Sequence, residues 1–299
     1  MSEHPNTGGF GPILALLRPR QWIKNLFCFT PVIFAGKATL PLAAGRAAMA
    51  CVAFCAASSA VYALNDLADR KRDARHPVKR LRPLASGALS PGAGAVIAVV
   101  CAALGLGLAL GLSWSVLGIV AAYLVLQCAY SGGLKRIVIL DVMLIAAGFL
   151  LRIFAGGEAV PVPVSAWILL CTFFLALFLG FAKRRAELDS GTGGEGGSRE
   201  VLGDYTGPML DSLCAICAAL AIATYALFTT SSGRDHTLVI TCPPVVFALF
   251  RYFYLTQRQR GGENTEALLL ADRPIQAAIA LWIGLYVWVL YGGLRLNIQ

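Results

Sequence analysis

The chain has 299 residues, of which 58% are hydrophobic and only 14% are charged, and its formal net charge is +9. These values exclude an ordinary soluble domain, in which about a quarter of the residues are charged. The apolar residues come in blocks of about 20, the length of a helix that crosses a bilayer. In a membrane protein the basic excess indicates anionic lipid headgroups or phosphorylated substrates as partners, and not nucleic acid.

The apolar blocks predict an all-α, polytopic membrane protein with nine transmembrane helices around a cytoplasm-facing cavity. The segments between the blocks are short, so residues 1–299 are expected to form a single integral-membrane domain. Residues 1–17 are polar and rich in Gly and Pro, which indicates a flexible cytoplasmic tail rather than a signal peptide. The predicted spans cover residues 24–42, 45–65, 91–111, 114–131, 138–157, 165–183, 208–230, 237–256 and 274–294.

The distribution of basic residues predicts the orientation of these spans. With the N-terminus inside, the inside segments hold twenty Lys and Arg residues and the outside segments hold four. This bias follows the positive-inside rule, so we expect a cell (inner) membrane protein whose N-terminus and active face are cytoplasmic. Nine crossings would then place the C-terminus outside.

The first inside segment carries a tryptophan between basic residues, in the run Arg18-Pro19-Arg20-Gln21-Trp22-Ile23-Lys24-Asn25. Arg20 and Lys24 are four residues apart and share one side of a helix, while a Trp here suits the headgroup level of a bilayer. Two interpretations stay open: an interfacial anchor, or a substrate contact made by Arg20 and Lys24.

The most informative stretch follows the second span and contains Asn65, Asp66, Asp69 and Asp73. At about 100° per residue, these side chains fall within about 100° of the helix circumference, so three carboxylates share one face. Such a face suits a Mg²⁺ ion that also holds a diphosphate, with Mn²⁺ as the alternative ion. The competing interpretation is a solvated helix end whose acids pair with nearby arginines.

A basic loop follows the acidic face at once. Pro77 and Pro83 end regular helix in this loop, so it can fold back over the acids. Lys79 and Arg82 are therefore candidate phosphate contacts.

Charged residues also mark the fifth and sixth spans. A tight turn, Tyr130-Ser131-Gly132-Gly133-Leu134-Lys135, precedes the fifth span. Asp141 and Arg152 lie about three full turns apart on that span, so they share a face at depths that differ by about 16 Å. Such a stripe points either into a polar cavity or to a structural pair with other helices.

The sixth span ends in Lys183, Arg184 and Glu187, and a Gly-rich stretch at 191–197 predicts a mobile loop that closes with Tyr205. The segment 258–273, with Glu263, Glu266, Asp272 and Arg273, is either a cap over the active face or a plain solvated loop.

An acidic motif after the second span and a charged motif after the sixth resemble the UbiA-type intramembrane prenyltransferase superfamily, over about residues 18–294. Prenyltransferases of that superfamily carry a second aspartate-rich motif after the sixth span, where this chain has Lys183, Arg184 and Glu187. The sequence at this position is similar to that of the decaprenyl-phosphate phosphoribosyltransferase branch. The segments that share this similarity are 18–25, 130–135, 151–157 and Asp272-Arg273.

The resemblance implies an enzyme that transfers the 5-phosphoribosyl group of phosphoribosyl diphosphate (PRPP) to polyprenyl (decaprenyl) phosphate, releases diphosphate and supplies cell-wall arabinan synthesis, that is, arabinogalactan. The alternatives are a prenyltransferase that moves a polyprenyl group from its diphosphate to an aromatic acceptor, and a non-catalytic transporter or lipid-binding protein. A homo-oligomer is left open.

Because PRPP carries a diphosphate and a separate monophosphate, we expect Mg²⁺ on Asp66, Asp69 and Asp73 for the former and basic residues for the latter. Lys183 and Arg184 are assigned to the monophosphate, and Lys24, Lys135 and Arg152 to the acceptor headgroup. The full set of expected substrate contacts is Arg20, Lys24, Asn65, Lys79, Arg82, Tyr130, Lys135, Asp141, Arg152, Lys183, Arg184, Glu187, Tyr205 and Arg273.

Overall fold

The computed structural model describes residues 10–189, 200–231, 236–258 and 271–292, and the regular structure in these residues is helical. Eight segments within these ranges are long and apolar enough to cross a membrane. The predicted class, an all-α membrane protein, is therefore confirmed. The sites predicted at 191–197, Glu263 and Glu266 lie outside the described residues, as does the C-terminus.

The α-helices, in chain order, are α1 (Gly11–Leu17), α2 (Thr30–Phe34), α3 (Pro41–Asp73), α4 (Pro91–Leu112), α5 (Trp114–Gly132), α6 (Leu140–Ala159), α7 (Ala166–Asp189), α8 (Gly207–Thr230), α9 (Cys242–Arg258) and α10 (Arg273–Tyr291). Proline stands in the first turn of α3, α4, α8 and α10, where its missing N–H would have no intrahelical partner. The side chains that cap α4, α5, α8 and α10 are Ser90, Ser113, Thr206 and Asp272.

The first predicted span, residues 24–42, does not form a continuous α-helix. Pro19–Phe29 is a 3₁₀-helix, α2 adds only 5 residues, and the chain turns at Gly36, whose φ is +67°. Pro31 cannot donate a backbone hydrogen bond, and the positive φ at Gly36 ends the helix. For this reason the segment is not among the eight candidate spans of the described residues.

The 3₁₀-helix nevertheless runs antiparallel along α3. The contacts, in chain order, join Arg18 to Asp66 (2.6 Å), Trp22 to Ser59 (3.0 Å) and Asn25 to Cys55 (3.3 Å). A 3₁₀-helix rises about 2.0 Å per residue, so it covers more depth per residue than an α-helix. Nine crossings therefore remain the prediction, with the first made by an irregular segment.

Reporter fusions test this count. We expect a reporter after Gln299 to read as outside and one within residues 187–204 to read as inside, with a fusion at Met1 as the inside reference. If the reporter after Gln299 reads as inside while the other two also do, the number of crossings is even and the prediction is wrong.

The described residues group into two compact units. Unit 1 is drawn from residues 1–134 and 151–163, and unit 2 from residues 135–150 and 164–299. The first half of α6 thus belongs to unit 2 and its second half to unit 1. The prediction of a single domain stays a prediction.

The core of unit 1 is built on the small residues of α3. Ala47, Ala53 and Ala57 are fully buried, and a Cβ atom on Gly105 of α4 would lie only 2.9 Å from the carbonyl oxygen of Ala53. The close approach of α3 and α4 therefore requires glycine at position 105. This packing fixes the helix that carries the acidic face at its C-terminal end.

The core of unit 2 is aromatic. Phe178 and Phe181 of α7 and Tyr252 of α9 are almost completely buried, and Phe178 meets Tyr252 edge to face at 5.6 Å between ring centroids. A side chain at Gly180 would overlap Val142, so this glycine lets α7 pack closely against α6. This packing fixes the C-terminal end of α7, where Lys183 and Arg184 lie. The sequence predicts that this end is cytoplasmic.

Candidate functional site

The acidic face at the end of α3 is buried and paired with arginine. The side chains of Asp66 and Asp73 are 3% and 2% exposed. One nitrogen of Arg82, Nη1, contacts Asp66 Oδ1 at 3.1 Å and Asp73 Oδ2 at 2.7 Å. Asp69 is 30% exposed and pairs with Arg72 at 3.0 Å instead. The structure therefore brings together two of the three predicted metal ligands and turns the third outward.

Arg18 completes this cluster, and sequence reasoning missed it. Its Nη2 atom contacts Asp66 Oδ1 at 2.6 Å, and its guanidinium lies 5.0 Å from the centroid of the Tyr62 ring. Arg18 has a left-handed backbone, with φ of 53°, where α1 gives way to the 3₁₀-helix. The sequence shows an arginine before a proline, but its pairing with an acid 48 residues away depends on the fold.

The donor set fits a divalent cation. A cationic nitrogen already bridges two buried carboxylates, and carboxylate oxygens are the ligands that Mg²⁺ prefers. In the part of the chain that the structure describes, no group of three or more His, Cys, Asp and Glu side chains is assembled for a metal. A site there would use Asp66 and Asp73 and would need Asp69 to turn from Arg72.

The loop after α3 folds back over the acids, as the sequence predicts. Leu84 is fully buried in a small apolar cluster with Ala63 and Ala98, and its carbonyl accepts a hydrogen bond from Arg70 Nε at 3.1 Å. This anchor holds the main chain two residues beyond Arg82. Lys79 and Asn65 are both partly exposed near the same end of α3.

Arg152 lies in the interior of unit 1, where it is buried among polar and aromatic side chains. Its Nε donates to Asn25 Oδ1 at 2.8 Å and its Nη2 to the Tyr123 hydroxyl at 3.2 Å. The guanidinium also lies over the rings of Tyr123 and Phe54, at 4.9 and 5.5 Å from their centroids. These contacts favour the structural interpretation of Arg152 over direct contact with an acceptor headgroup.

Three further predicted substrate contacts are exposed or partly exposed. Lys24 is partly exposed and donates to Gln21 Oε1 at 2.6 Å, while Arg20 is exposed. Tyr130, at the end of α5, is partly exposed. Lys24 and Arg20 are thus accessible to a headgroup. Both interpretations of this segment, an interfacial anchor and a substrate contact, require such access.

In unit 2, ion pairs of the buried Arg184 lie at the C-terminal end of α7. Arg184 is 1% exposed, and its Nε and Nη1 atoms contact Asp141 at 2.8 Å and Glu187 at 2.7 Å. The Tyr205 hydroxyl donates to Asp141 Oδ1 at 2.7 Å and accepts from the backbone N–H of Ile139 at 2.6 Å. Arg184 is therefore held by two carboxylates, which argues against its assignment as a phosphate contact.

Two features show how tightly this cluster is fixed. Ile139 has φ of +69°, an unfavourable conformation for a β-branched residue, and the Tyr205 hydroxyl binds its N–H. Burial, followed by the hydrogen bond to Asp141, raises the pKa of Tyr205, so the hydroxyl stays protonated at neutral pH. The cluster ties the turn before α6, the end of α7 and the segment before α8 to one another.

Three predicted basic contacts lie outside this network. Lys183 and Lys135 are partly exposed, and Arg273 is exposed at the start of α10. The neighbour of Arg273, Asp272, contacts Arg251 at 3.0 Å and caps α10. Hydrogen bonding from Arg251 lowers the pKa of Asp272, so the carboxylate is ionised at neutral pH.

We expect the Arg184 cluster to contribute strongly to stability. Replacing Asp141 by asparagine leaves a buried arginine with one carboxylate fewer, a change that costs about 3–5 kcal/mol. The matched control is Asp189→Asn, which removes a partly exposed partner of Arg185 on the same helix and should cost about 1 kcal/mol or less. Thermal unfolding in detergent measures both, and equal shifts would contradict the structural role.

Comparisons with known proteins decide the family. A model of the UbiA prenyltransferase family matches residues 25–272. The chain belongs to the UbiA prenyltransferase family. The predicted resemblance to this superfamily is thus confirmed, and with it the prediction that the chain is a membrane-embedded transferase.

Relatives with assigned names extend the similarity. The chain is 32% identical over 287 residues to a decaprenyl-phosphate phosphoribosyltransferase of Mycolicibacterium smegmatis, covering 91% of this chain and 90% of the relative. It is 31% identical over 286 residues to the enzyme of that name from Mycobacterium tuberculosis, covering 91% of each. The predicted similarity to this branch is therefore confirmed.

A solved structure shows the same fold. The UbiA homologue from Archaeoglobus fulgidus bound to GPP and Mg²⁺ superposes with a TM-score of 0.72 and covers 93% of this chain and 99% of its own. At 19% identity this likeness concerns the fold alone.

Proposed function

We propose that this protein transfers the 5-phosphoribosyl group from PRPP to polyprenyl phosphate, with release of diphosphate and dependence on Mg²⁺ or Mn²⁺. The observation that carries the proposal is the use of Asp141 and Glu187 to hold Arg184. Because both carboxylates already bind Arg184, the end of α7 is unsuited to a second metal site of the kind that prenyl diphosphate transfer uses in this family. The names of the relatives support the same reaction.

The two ends of PRPP are assigned to different side chains. Asp66, Asp69 and Asp73 would hold the divalent ion, which would bind the diphosphate, with Asn65 as a polar contact. Lys183 binds the 5-phosphate, since this basic residue is partly exposed. Arg184, first assigned to this phosphate, becomes a positioning residue because its guanidinium is already bound by two carboxylates.

The reaction needs no strong general base, because a phosphate oxygen of the acceptor is already nucleophilic. That oxygen forms a bond to C1 of the ribose while the bond from C1 to the diphosphate oxygen breaks. A divalent ion would supply charge stabilisation to the departing diphosphate. The protein aligns the two reactants and places arginine and lysine donors on the phosphate oxygens.

The acceptor is a lipid phosphate at the membrane surface. Lys24 and Lys135 are the proposed contacts to its headgroup, with Arg20 nearby in sequence, because both lysines are partly exposed. Arg152 supports this region from within, by holding Asn25 in the 3₁₀-helix that carries Lys24. The active face is proposed to lie on the cytoplasmic side of the cell membrane, with the product used for cell-wall arabinan.

A donor comparison tests the proposal. Purified protein with labelled PRPP and polyprenyl phosphate should give a labelled lipid and diphosphate, and a chelator should stop the reaction. The control supplies polyprenyl diphosphate with an aromatic acid, for which we expect no transfer. Transfer in the control and none from PRPP would replace the proposal with the prenyltransferase alternative, and no transfer in either would favour a non-catalytic protein.

A further inference from the structure

We propose that Arg82 is the resident counter-cation of the acidic face and that its side chain exchanges between the carboxylates and a bound diphosphate. As a result, a divalent cation would bind well only together with a diphosphate. The inference rests on the proposed function only in assigning a metal-bound diphosphate to these acids. It names neither the rest of the donor nor the acceptor.

The geometry of Arg82 is the first step of the argument. A single nitrogen, Nη1, lies 3.1 Å from Asp66 and 2.7 Å from Asp73, between two buried carboxylates. A cation that bridged Asp66 Oδ1 and Asp73 Oδ2 would need the same position. Arg82 and such an ion therefore cannot bind these two oxygens at once.

The balance of charge is the second step. Two buried carboxylates, Asp66 and Asp73, face two guanidinium groups, those of Arg18 and Arg82, so the formal charges cancel. A divalent cation bound to these two carboxylates with both guanidinium groups still in place would leave an excess of positive charge at a site that is largely shielded from water, which is unfavourable. A diphosphate supplies the missing negative charge and gives the displaced guanidinium a new partner.

The mobility of the side chain is the third step. Leu84 is fully buried and hydrogen-bonded through its carbonyl to Arg70, so the main chain near Arg82 is fixed. The Arg82 side chain itself is 30% exposed. Arginine presents a planar fork of donors that matches phosphate as well as carboxylate. Arg82 can thus leave the acids for a phosphate oxygen while the loop stays anchored.

Manganese binding to the purified, full-length protein in detergent tests the inference, with Mn²⁺ as an electron paramagnetic resonance probe. Without diphosphate, Arg82→Gln should bind Mn²⁺ about tenfold more tightly than the unmutated protein, since its competitor is gone. Adding inorganic diphosphate should strengthen Mn²⁺ binding by the unmutated protein much more than by Arg82→Gln, because the variant has no guanidinium that passes from the carboxylates to the diphosphate. The matched control is Arg80→Gln, an exposed arginine of the same loop, which should change neither value.

Unchanged or weaker Mn²⁺ binding by Arg82→Gln would overturn the inference. If this variant is too unstable for the binding measurement, its thermal unfolding with and without Mn²⁺ decides: stabilisation by Mn²⁺ that the unmutated protein lacks supports competition, and its absence overturns it. Arg82→Lys keeps the charge without the fork, so it should bind Mn²⁺ weakly and respond less to diphosphate. Failure of PRPP turnover with these Mn²⁺ results intact would remove the proposed donor and leave the role of Arg82 standing.

Discussion

Replacing Asp66, Asp69 or Asp73 by alanine is expected to lower turnover by about 100- to 1000-fold or more. A metal ion contributes several kcal/mol of charge stabilisation to a transition state, and about 1.4 kcal/mol corresponds to a factor of ten in rate. Asp66 and Asp73 should show the largest losses, because they are the buried pair on the acidic face. Turnover of PRPP per unit of folded protein is the quantity to measure.

Controls separate the loss of catalysis from the loss of folded protein. Removing Asp66 or Asp73 leaves arginine without a buried partner, so each variant needs its own thermal unfolding curve. Asp204→Ala is the matched control, because Asp204 is an exposed carboxylate in the turn Glu200–Asp204. Near-normal rates for all three variants would leave the acidic face with a structural role only, as a set of ion pairs with arginine.

Replacing Lys183 by glutamine is expected to weaken the use of PRPP by about 10- to 150-fold. A hydrogen bond from a charged donor to phosphate contributes about 1.5–3 kcal/mol, and about 1.4 kcal/mol is a factor of ten in affinity. The apparent affinity for polyprenyl phosphate should change much less. Separate titrations of the two substrates measure both effects, and the opposite pattern would assign Lys183 to the lipid headgroup.

The neighbouring arginine should behave differently, which makes it a stringent comparison. Arg184→Gln removes the buried partner of Asp141 and Glu187, so we expect a lower unfolding temperature together with reduced activity towards both substrates. A selective loss of PRPP affinity in a fully stable Arg184→Gln protein would instead restore Arg184 as a phosphate contact. Lys183→Arg should keep most of the activity, because it retains the charge.

Hydropathy and local rules predicted most of the fold. Eight of the nine predicted spans correspond to helices, since about 20 apolar residues in a row satisfy their backbone in a bilayer only as a helix. The exception, residues 24–42, contains Pro31 and Gly36, whose effects on the helix depend on neighbours that a hydropathy window does not include. The contacts of Arg18 and Trp22 with α3 show how the fold supports a 3₁₀-helix there.

Helical periodicity predicted a smaller part of the candidate site than hydropathy did of the fold. It placed Asp66 and Asp73 on one face and indicated a loop that returns to them, both of which the structure shows. It also grouped Asp141 with Arg152 on one stripe of α6. In the structure these two have different partners: Asp141 binds Arg184, and Arg152 binds Asn25. Shared orientation on a helix does not specify which neighbouring element supplies the partner.

The sequence alone therefore determined the membrane class, the position of the acidic face and the basic character of the end of α7, because these follow from composition and from spacing within one helix. Tertiary structure decided which charges neutralise each other. Arg18 reaches Asp66 from 48 residues away, and Arg184 reaches Asp141 from 43 residues away. Such pairs form because a buried charge is stable only with a partner, and chain folding alone determines which partner is within reach.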